Sequence, residues 1–260
     1  MIFDAICTLS LVYACNDSNS CPVSKQVIGT EVITYKYNNK GDISTIQTID
    51  TINNLHETYN FNWGNGKIIM SERGKVIQVY TLDEDQRISS YSTSGGNIQE
   101  YNFTYDFRGR LVKVKRKRFN KEKLISVSYF TVSYLKDNPV RIIDSCVISD
   151  ISLKENPYVI RYRISYYDDV KNRSINSNIF PILISYLPAF NYVAYKESTG
   201  ILPNKLIKSI SYETNKEKYY QRNFSYDIDV KGNVREIKTS LDNKSHNSVN
   251  EVRKIAYQCY

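Results

Sequence analysis

Along most of the chain, aromatic and β-branched residues alternate with polar ones, and the alternation breaks at short polar bends. The stretch from Phe103 to Leu111, FTYDFRGRL, shows the unit: two aromatics one residue apart, Asp106, Gly109, and an aliphatic restart. Copies read YKYNNKGDI from Tyr35 and FSYDIDVKGNV from Phe224, the latter with a turn two residues longer. FNWGNGKI from Phe61 is a shortened version, and YTLDEDQRI from Tyr80 and VSYLKDNPV from Val132 keep the shape without the glycine. Alternating apolar positions mark a strand with one buried face. An Asp or Asn that bonds its own backbone turns the chain, and Gly supplies the positive φ that closes the bend. Each copy therefore predicts a β-hairpin.

The copies begin at 35, 61, 80, 103, 132 and 224, at intervals too uneven for a solenoid. Unequal hairpins in sequence predict a mainly β fold, an antiparallel β-meander forming a strongly curved sheet or a (half-)barrel. Closure is attractive because it removes exposed strand edges. Before the last copy, Ile179, Leu183, Tyr186, Leu187 and Phe190 fall at helical spacing, with Asn178 as cap and Pro181 in the first turn. Pro188 kinks or ends that segment. This predicts one short helical insertion near residues 178–196, packing on the core or plugging an open end.

Composition sharpens this picture. The 260 residues suit one all-β domain, and 23 tyrosines give a β-favouring, folded chain. Tyr129, Tyr134, Tyr162, Tyr166, Tyr167, Tyr212, Tyr219 and Tyr220 exceed what one core needs. A flat apolar ring with a polar tip suits a glycan or an amphipathic molecule, so a Tyr-rich concave sheet is a candidate ligand face. The competing reading has these rings lining the sheet's own interior. The net charge of +8 favours phosphates and says nothing of fold.

The first residues differ from the rest. ICTLSLVYAC is a short apolar run ending in a small residue and Cys15. It resembles the tail of a bacterial lipoprotein signal, which implies cleavage before Cys15 and lipid attachment there. Asp4 stands where a basic segment belongs, and Tyr13 is unusual in such a box, so an apolar first strand with a buried cysteine is the alternative. Residues 1–14 are then a truncated signal, 15–30 a polar tether and 31–260 a single β-meander domain. With Cys7 removed and Cys15 acylated, Cys21, Cys146 and Cys259 remain, an odd number that cannot pair completely.

Candidate chemistry is sparse. His56 and His246 stand apart in polar surroundings, with no nucleophile pattern nearby. DIDVKGN from Asp227 resembles a calcium loop but places Lys231 and Lys238 at ligand positions. No metal or cofactor is expected. Asp50, Glu57, Asp106 and Asp144 are the carboxylates a hydrolase would draw on, with nothing in the sequence to pair them. KVKRKRFNKEK from Lys113 carries seven cations and one acid. It reads either as a phosphate contact or as a charged hairpin that blocks edge pairing. Nucleic acid is not expected, since stacking aromatics are lacking there.

YDFRGRL alone is similar to the YD repeats of large secreted shells, a local match without their near-constant spacing. The whole chain, over roughly residues 28 to 260, resembles a family of Bacteroidetes-type lipoproteins, a domain of unknown function with a porin-like fold. The resemblance rests on Cys15, on the hairpins at Tyr35, Phe103 and Phe224, and on the late NIFPILISYLPAF…GILPNKL insertion. It implies a lipid-anchored cell-envelope protein at the outer membrane, not embedded in it, because Lys36, Lys113 and Lys115 fall within strands. The expected function is non-enzymatic: binding a ligand on the tyrosine face or, alternatively, serving as an accessory subunit of an outer-membrane complex. A hydrolase ranks last.

Overall fold

Every hairpin of the repeat continues directly into the next, and the last strand returns to the first. The computed structural model describes residues 23–94, 98–148, 158–171, 205–214, 219–230, 232–243 and 250–257. The first eight strands are β1 (Val23–Ile28), β2 (Glu31–Tyr37), β3 (Ile43–Asp50), β4 (Leu55–Gly64), β5 (Lys67–Glu72), β6 (Lys75–Leu82), β7 (Ile88–Thr93) and β8 (Gln99–Tyr105). Then follow β9 (Leu111–Asn120), β10 (Lys123–Leu135), β11 (Asn138–Ile148), β12 (Tyr158–Lys171), β13 (Lys205–Thr214), β14 (Tyr219–Ile228), β15 (Val234–Asn243) and β16 (Asn250–Tyr257). Sequential neighbours pair antiparallel, and β1 pairs with β16 from Val23↔Tyr257 to Ile28↔Arg253.

The wall is thus a closed sixteen-stranded barrel: of the forms the sequence left open, the antiparallel barrel is borne out, and the open sheet and half-barrel are not. The physical reason is β1, drawn from the stretch read as tether: without Val23–Ile28, both β2 and β16 would be open edges. The helical insertion expected near residues 178–196 lies outside the described residues, and no helix occurs among those described.

A closed wall one strand thick has only its lumen in which to bury a face. Tyr59 and Phe61 are buried while Asn60 and Asn62 between and beyond them are exposed. The same alternation sets Tyr101 and Phe103 against Asn102 and Thr104, and Phe130 and Val132 against Thr131 and Ser133. Tyr80, Tyr101, Tyr162, Phe130 and Ile142 are all less than 2% exposed. Burying each such side chain is worth about 1.5–3 kcal/mol, so the lumen is the core. Lys36, Lys113, Arg163 and Lys208 stand exposed on the outer wall.

The repeat appears as one turn built four times along a single rim, here termed the motif rim: Asn38–Asp42, Asp83–Arg87, Asp106–Arg110 and Asp229–Asn233. In each, the first residue's N–H donates to the fifth carbonyl and the fourth N–H donates to the first carbonyl, at 2.7–3.0 Å. The first residue's Oδ1 accepts the fifth N–H at 2.8–2.9 Å, and the two side chains bond to each other. The fourth residue takes positive φ: Gly41, Gln86, Gly109 and Gly232. Gln86 therefore does in the second of these four turns what glycine does in the other three. In the last copy Asp229, not Asp227, turns the chain. Its two extra residues lengthen the strand and leave the turn unchanged.

Immediately after the turn, each restart strand carries a bulge. Tyr37 faces Ile43 while Lys36 faces Thr45, and the same skip occurs at Leu82/Ile88, Tyr105/Leu111, Tyr134/Pro139 and Ile228/Val234. One extra residue keeps both the restart aliphatic and the residue three further on in the lumen. Hence Ile43 and Ile46, Leu111 and Val114, and Val234 and Ile237 are all buried.

Five aromatic side chains then each tie a hairpin to the one before it. Trp63 Nε1 donates to the Ile43 carbonyl (2.7 Å), and the hydroxyls of Tyr105, Tyr134 and Tyr226 donate to those of Ile88 (2.7 Å), Leu111 (2.8 Å) and Ile207 (2.8 Å). Tyr166 does the same to Pro139. The Arg preceding the restart covers the ring: Arg87 lies 4.7 Å from the centroid of Tyr105, and Arg110 lies 4.6 Å from that of Tyr134. Asp83 and Asp106 hold those arginines at 2.8 Å.

Tyr134→Phe keeps the ring and its cation but removes the bond to Leu111. Urea unfolding should show a loss of about 1 kcal/mol. Tyr134→Ala, which also empties the ring's place, should cost about 3–5 kcal/mol.

Candidate functional site

The lumen changes character along its length. Near the motif rim it is apolar and latched, lined by Ile43, Ile68, Ile88, Leu111 and Val234, all 1% exposed or less. Toward the far rim its inward positions turn polar, in two groups.

The first group crosses β6 to β10. Tyr80, Tyr91 and Tyr101 are register neighbours on three adjacent strands, with successive ring centroids 4.9 Å apart, the first pair stacked and the second tilted. One step toward the far rim, Gln78 accepts from the Tyr80 hydroxyl and Gln99 from that of Tyr101 (2.7 Å). Arg116 continues the row: it faces Tyr101 and Ser128, donates from Nη2 to Ser128 Oγ (3.0 Å), and lies 5.4 Å from the Phe130 ring centroid. Arg118 follows between Gln99 and Ser126. Burial pushes the Tyr101 hydroxyl pKa up; Arg116 opposes this, and the fully buried Asp144 adds to it.

The basic run is therefore split by parity. Lys113, Lys115 and Lys117 alternate with Val114, Arg116 and Arg118, and only the lysines project outward. Lys113 and Lys115 lie 5.1 and 5.9 Å from the ring of Tyr129 on the outer wall, and Lys117 lies 3.8 Å from Glu100. Reading all seven cations as one surface is corrected by strand alternation.

The second group lies at the closing seam. Gln26, Glu31, Asp50, Glu57, Glu251 and Arg253 come from five strands at both ends of the chain, and sequence reasoning missed four of them. Glu31 faces Asp50 directly, and Arg253 Nη2 donates to Glu251 Oε1 (3.1 Å). Burial, followed by the charges of Asp50, Glu57 and Glu251, pushes the Glu31 carboxyl up to about 7, with Arg253 opposing. Asp50 goes the other way. Its oxygens accept from the Asn53 side chain (2.6 Å), from the N–H groups of Asn53 and Ile52 and from Thr30 Oγ1, and these bonds hold it below the usual range. Such an Asp is a loop cap, its carboxylate engaged by its own turn.

The remaining sequence candidates scatter. Cys15, Cys7, Cys21, Cys259 and His246 lie outside the described residues; Cys146 is a buried free thiol on β11. His56 is exposed, 3.3 Å from Asn54 Oδ1. Asp106 is a turn cap on the motif rim, and Asp144 is buried in the lumen wall on β11. Among the described residues no group of three or more His, Cys, Asp or Glu is placed to hold a metal.

The tyrosine face is the largest revision. Tyr162 is buried and its ring centroid lies 5.6 Å from that of Tyr212; Tyr134 and Tyr166 are latches. Tyr167 donates across β13 to the Phe224 carbonyl (2.8 Å). Tyr129 alone of this set faces outward, while the side chains of Tyr219 and Tyr220 lie outside the described residues. The rings fill the core because closure turns a concave face into an interior.

The barrel is similar to a porin-like protein from Bacteroides uniformis ATCC 8492, at 16% identity and TM-score 0.63, covering 92% of this chain and 97% of that one. A porin-like protein from Bacteroides vulgatus ATCC 8482 is similar at 10% identity and TM-score 0.63, covering 91% and 98%. The porin-like fold expected from the sequence is borne out by these likenesses. No family model matches the chain, and no curated protein matches it.

Glu31 binds its proton more tightly folded, at about 7, than its ordinary 4.5. Its stabilising contribution is complete below the lower value, declines through the interval and is lost above the higher. Glu31→Gln should leave Tm near the parent's at about pH 4 and raise it above the parent's at about pH 8. Thermal melts across that range check the crossover.

Proposed function

We propose that this chain is a non-enzymatic protein of the cell envelope, held to the outer membrane by lipid on Cys15 and working through its outer wall and rims. The observation that carries this reading is the orientation of the barrel's two faces. A membrane-spanning barrel presents an apolar band outward and keeps a polar lumen. Here Tyr80, Phe130, Ile46 and Leu111 fill the inside, and Lys36, Lys113, Arg163 and Lys208 stand outside. Such a wall is suited to water beside a membrane, where a lipid tether keeps it in place.

Of the two roles open to such a protein, accessory subunit of an outer-membrane complex is the better supported. A glycan or amphipathic ligand on the tyrosine face would have to displace Tyr134, Tyr162 and Tyr166 from the core. Closure also removes the strand edge that docking by strand addition would use, so a partner has to meet side chains on the rims or wall. Hydrolysis ranks last, because Asp50 is consumed by its own loop.

Mass spectrometry of the N-terminal peptide from cells should find Cys15 acylated, and Cys15→Ala should release the protein from the membrane fraction. An unmodified Cys15 in membrane-bound protein would refute the tether. Planar-bilayer recordings of the purified chain should show no conductance steps, and regular steps would overturn the filled-lumen reading.

A further inference from the structure

We infer that the far half of the lumen binds the oxyanion group, carboxylate or phosphate, of a small soluble molecule. The site is one inward row of hydrogen-bond donors crossing β6 to β10: Gln78, Thr93, Gln99, Arg118 and Ser126. Gln78 faces Thr93, Arg118 faces both Gln99 and Ser126, and the Gln99 N–H donates to Thr93 Oγ1 (2.9 Å). The chemistry of this row is one-sided. The hydroxyls of Tyr80 and Tyr101 take the Oε1 acceptors of Gln78 and Gln99, which leaves each amide its Nε2 donor to present. Arg118 adds a planar fork of N–H donors, the shape that matches an edge of a carboxylate or phosphate. Donors without acceptors call for an anion.

Among the described residues Arg118 meets no acid, since its register partners Gln99 and Ser126 are both neutral. The single inward carboxylate described on β6 to β11 is Asp144. It stands level with Phe130, two rows nearer the motif rim than Arg118 and beyond ion-pair reach of it. Arg116, in the row between, is by contrast engaged, donating to Ser128 and covering the Phe130 ring. Ser126 supplies an independent sign. Its side chain is 2% exposed, and its Oγ has no hydrogen-bond partner. A buried hydroxyl and a half-buried guanidinium placed in this way cost stability, and an oxyanion seated between them recovers it. Solvent reaches the row, because Gln78, Thr93, Gln99 and Arg118 are only half-buried. The far-rim bends at 73–74 and 121–122, which open and close this set of strands, are too short to fold back over it.

The test needs neither a lipid anchor nor a partner protein, so its outcome is separate from that of the proposed function. The purified full chain is titrated with inorganic phosphate and, separately, with acetate at about pH 8. Chloride keeps the ionic strength constant, and calorimetry and thermal melts are the readouts. One or both anions should bind saturably and raise Tm above the chloride control, and which of them does so tells phosphate from carboxylate. Arg118→Gln should weaken that binding at least about tenfold. Lys117→Gln, on the outer face of the same strand, should change it less than about twofold. With chloride alone, Arg118→Gln should melt no lower than the parent, because it removes a cation that has no acid beside it; an arginine with a purely structural role would lower Tm. Gln99→Glu is the second variant: its carboxylate takes the anion's place beside Arg118, so it should raise Tm in chloride and abolish binding. Saturable binding by neither anion, an equal loss in Lys117→Gln, or parent-like binding in Arg118→Gln or Gln99→Glu would overturn the proposal.

Discussion

A closed antiparallel wall must place the apolar side of all sixteen strands in one enclosed space. A slip of one residue in any pair would turn that strand's aromatic set to solvent and its charges into the core. The bulges after the motif-rim turns are where this constraint is visible. At Leu111 the chain has just left a tight bend, and Val114 must face the lumen too; the odd spacing is possible only because Val112 is left over. Bulges also increase local twist and bend the strand, which a barrel needs in order to close.

The aromatic latches answer a second demand of the same geometry. Within a hairpin the turn holds two strands at the motif rim, but between hairpins the covalent link lies at the far rim. Trp63, Tyr105, Tyr134, Tyr166 and Tyr226 bridge those gaps with a hydrogen bond to a backbone carbonyl. Burial raises the pKa of Tyr105, Tyr134, Tyr166 and Tyr226, so these hydroxyls stay neutral donors throughout the ordinary pH range. The tyrosine surplus is thereby explained by architecture.

Polarity then divides the molecule by level. Beneath the motif-rim turns the described lining is apolar, while the half of the lumen nearer the far rim holds Arg116, Arg118, the glutamines and the seam carboxylates. Buried charge of this kind is weak evidence for stability and is retained elsewhere for specificity of register. At the seam it joins β2, β3 and β4 to β16, the two ends of the chain that must find each other for closure.

The sequence by itself determined the hairpins. A strand face, an Asx turn and a positive-φ residue are local matters, settled within about ten residues by alternation and side chain-to-backbone bonding. It also held the parity of KVKRKRF, since Val114 on the arginine side marks which face is buried, and the Asp229 turn, since its spacing to Gly232 and Val234 matches Asp106 to Gly109 and Leu111. Closure was not legible in this way. Whether a meander curls until β1 meets β16, whether a tyrosine-rich concavity becomes a filled interior, and whether Glu31 lies beside Asp50, Glu57 and Glu251 all depend on twist and stagger summed around the whole circumference. No local window contains that sum. Only the tertiary structure decided it, because a strand's second neighbour is fixed by where the chain ends up and not by what it is next to in sequence.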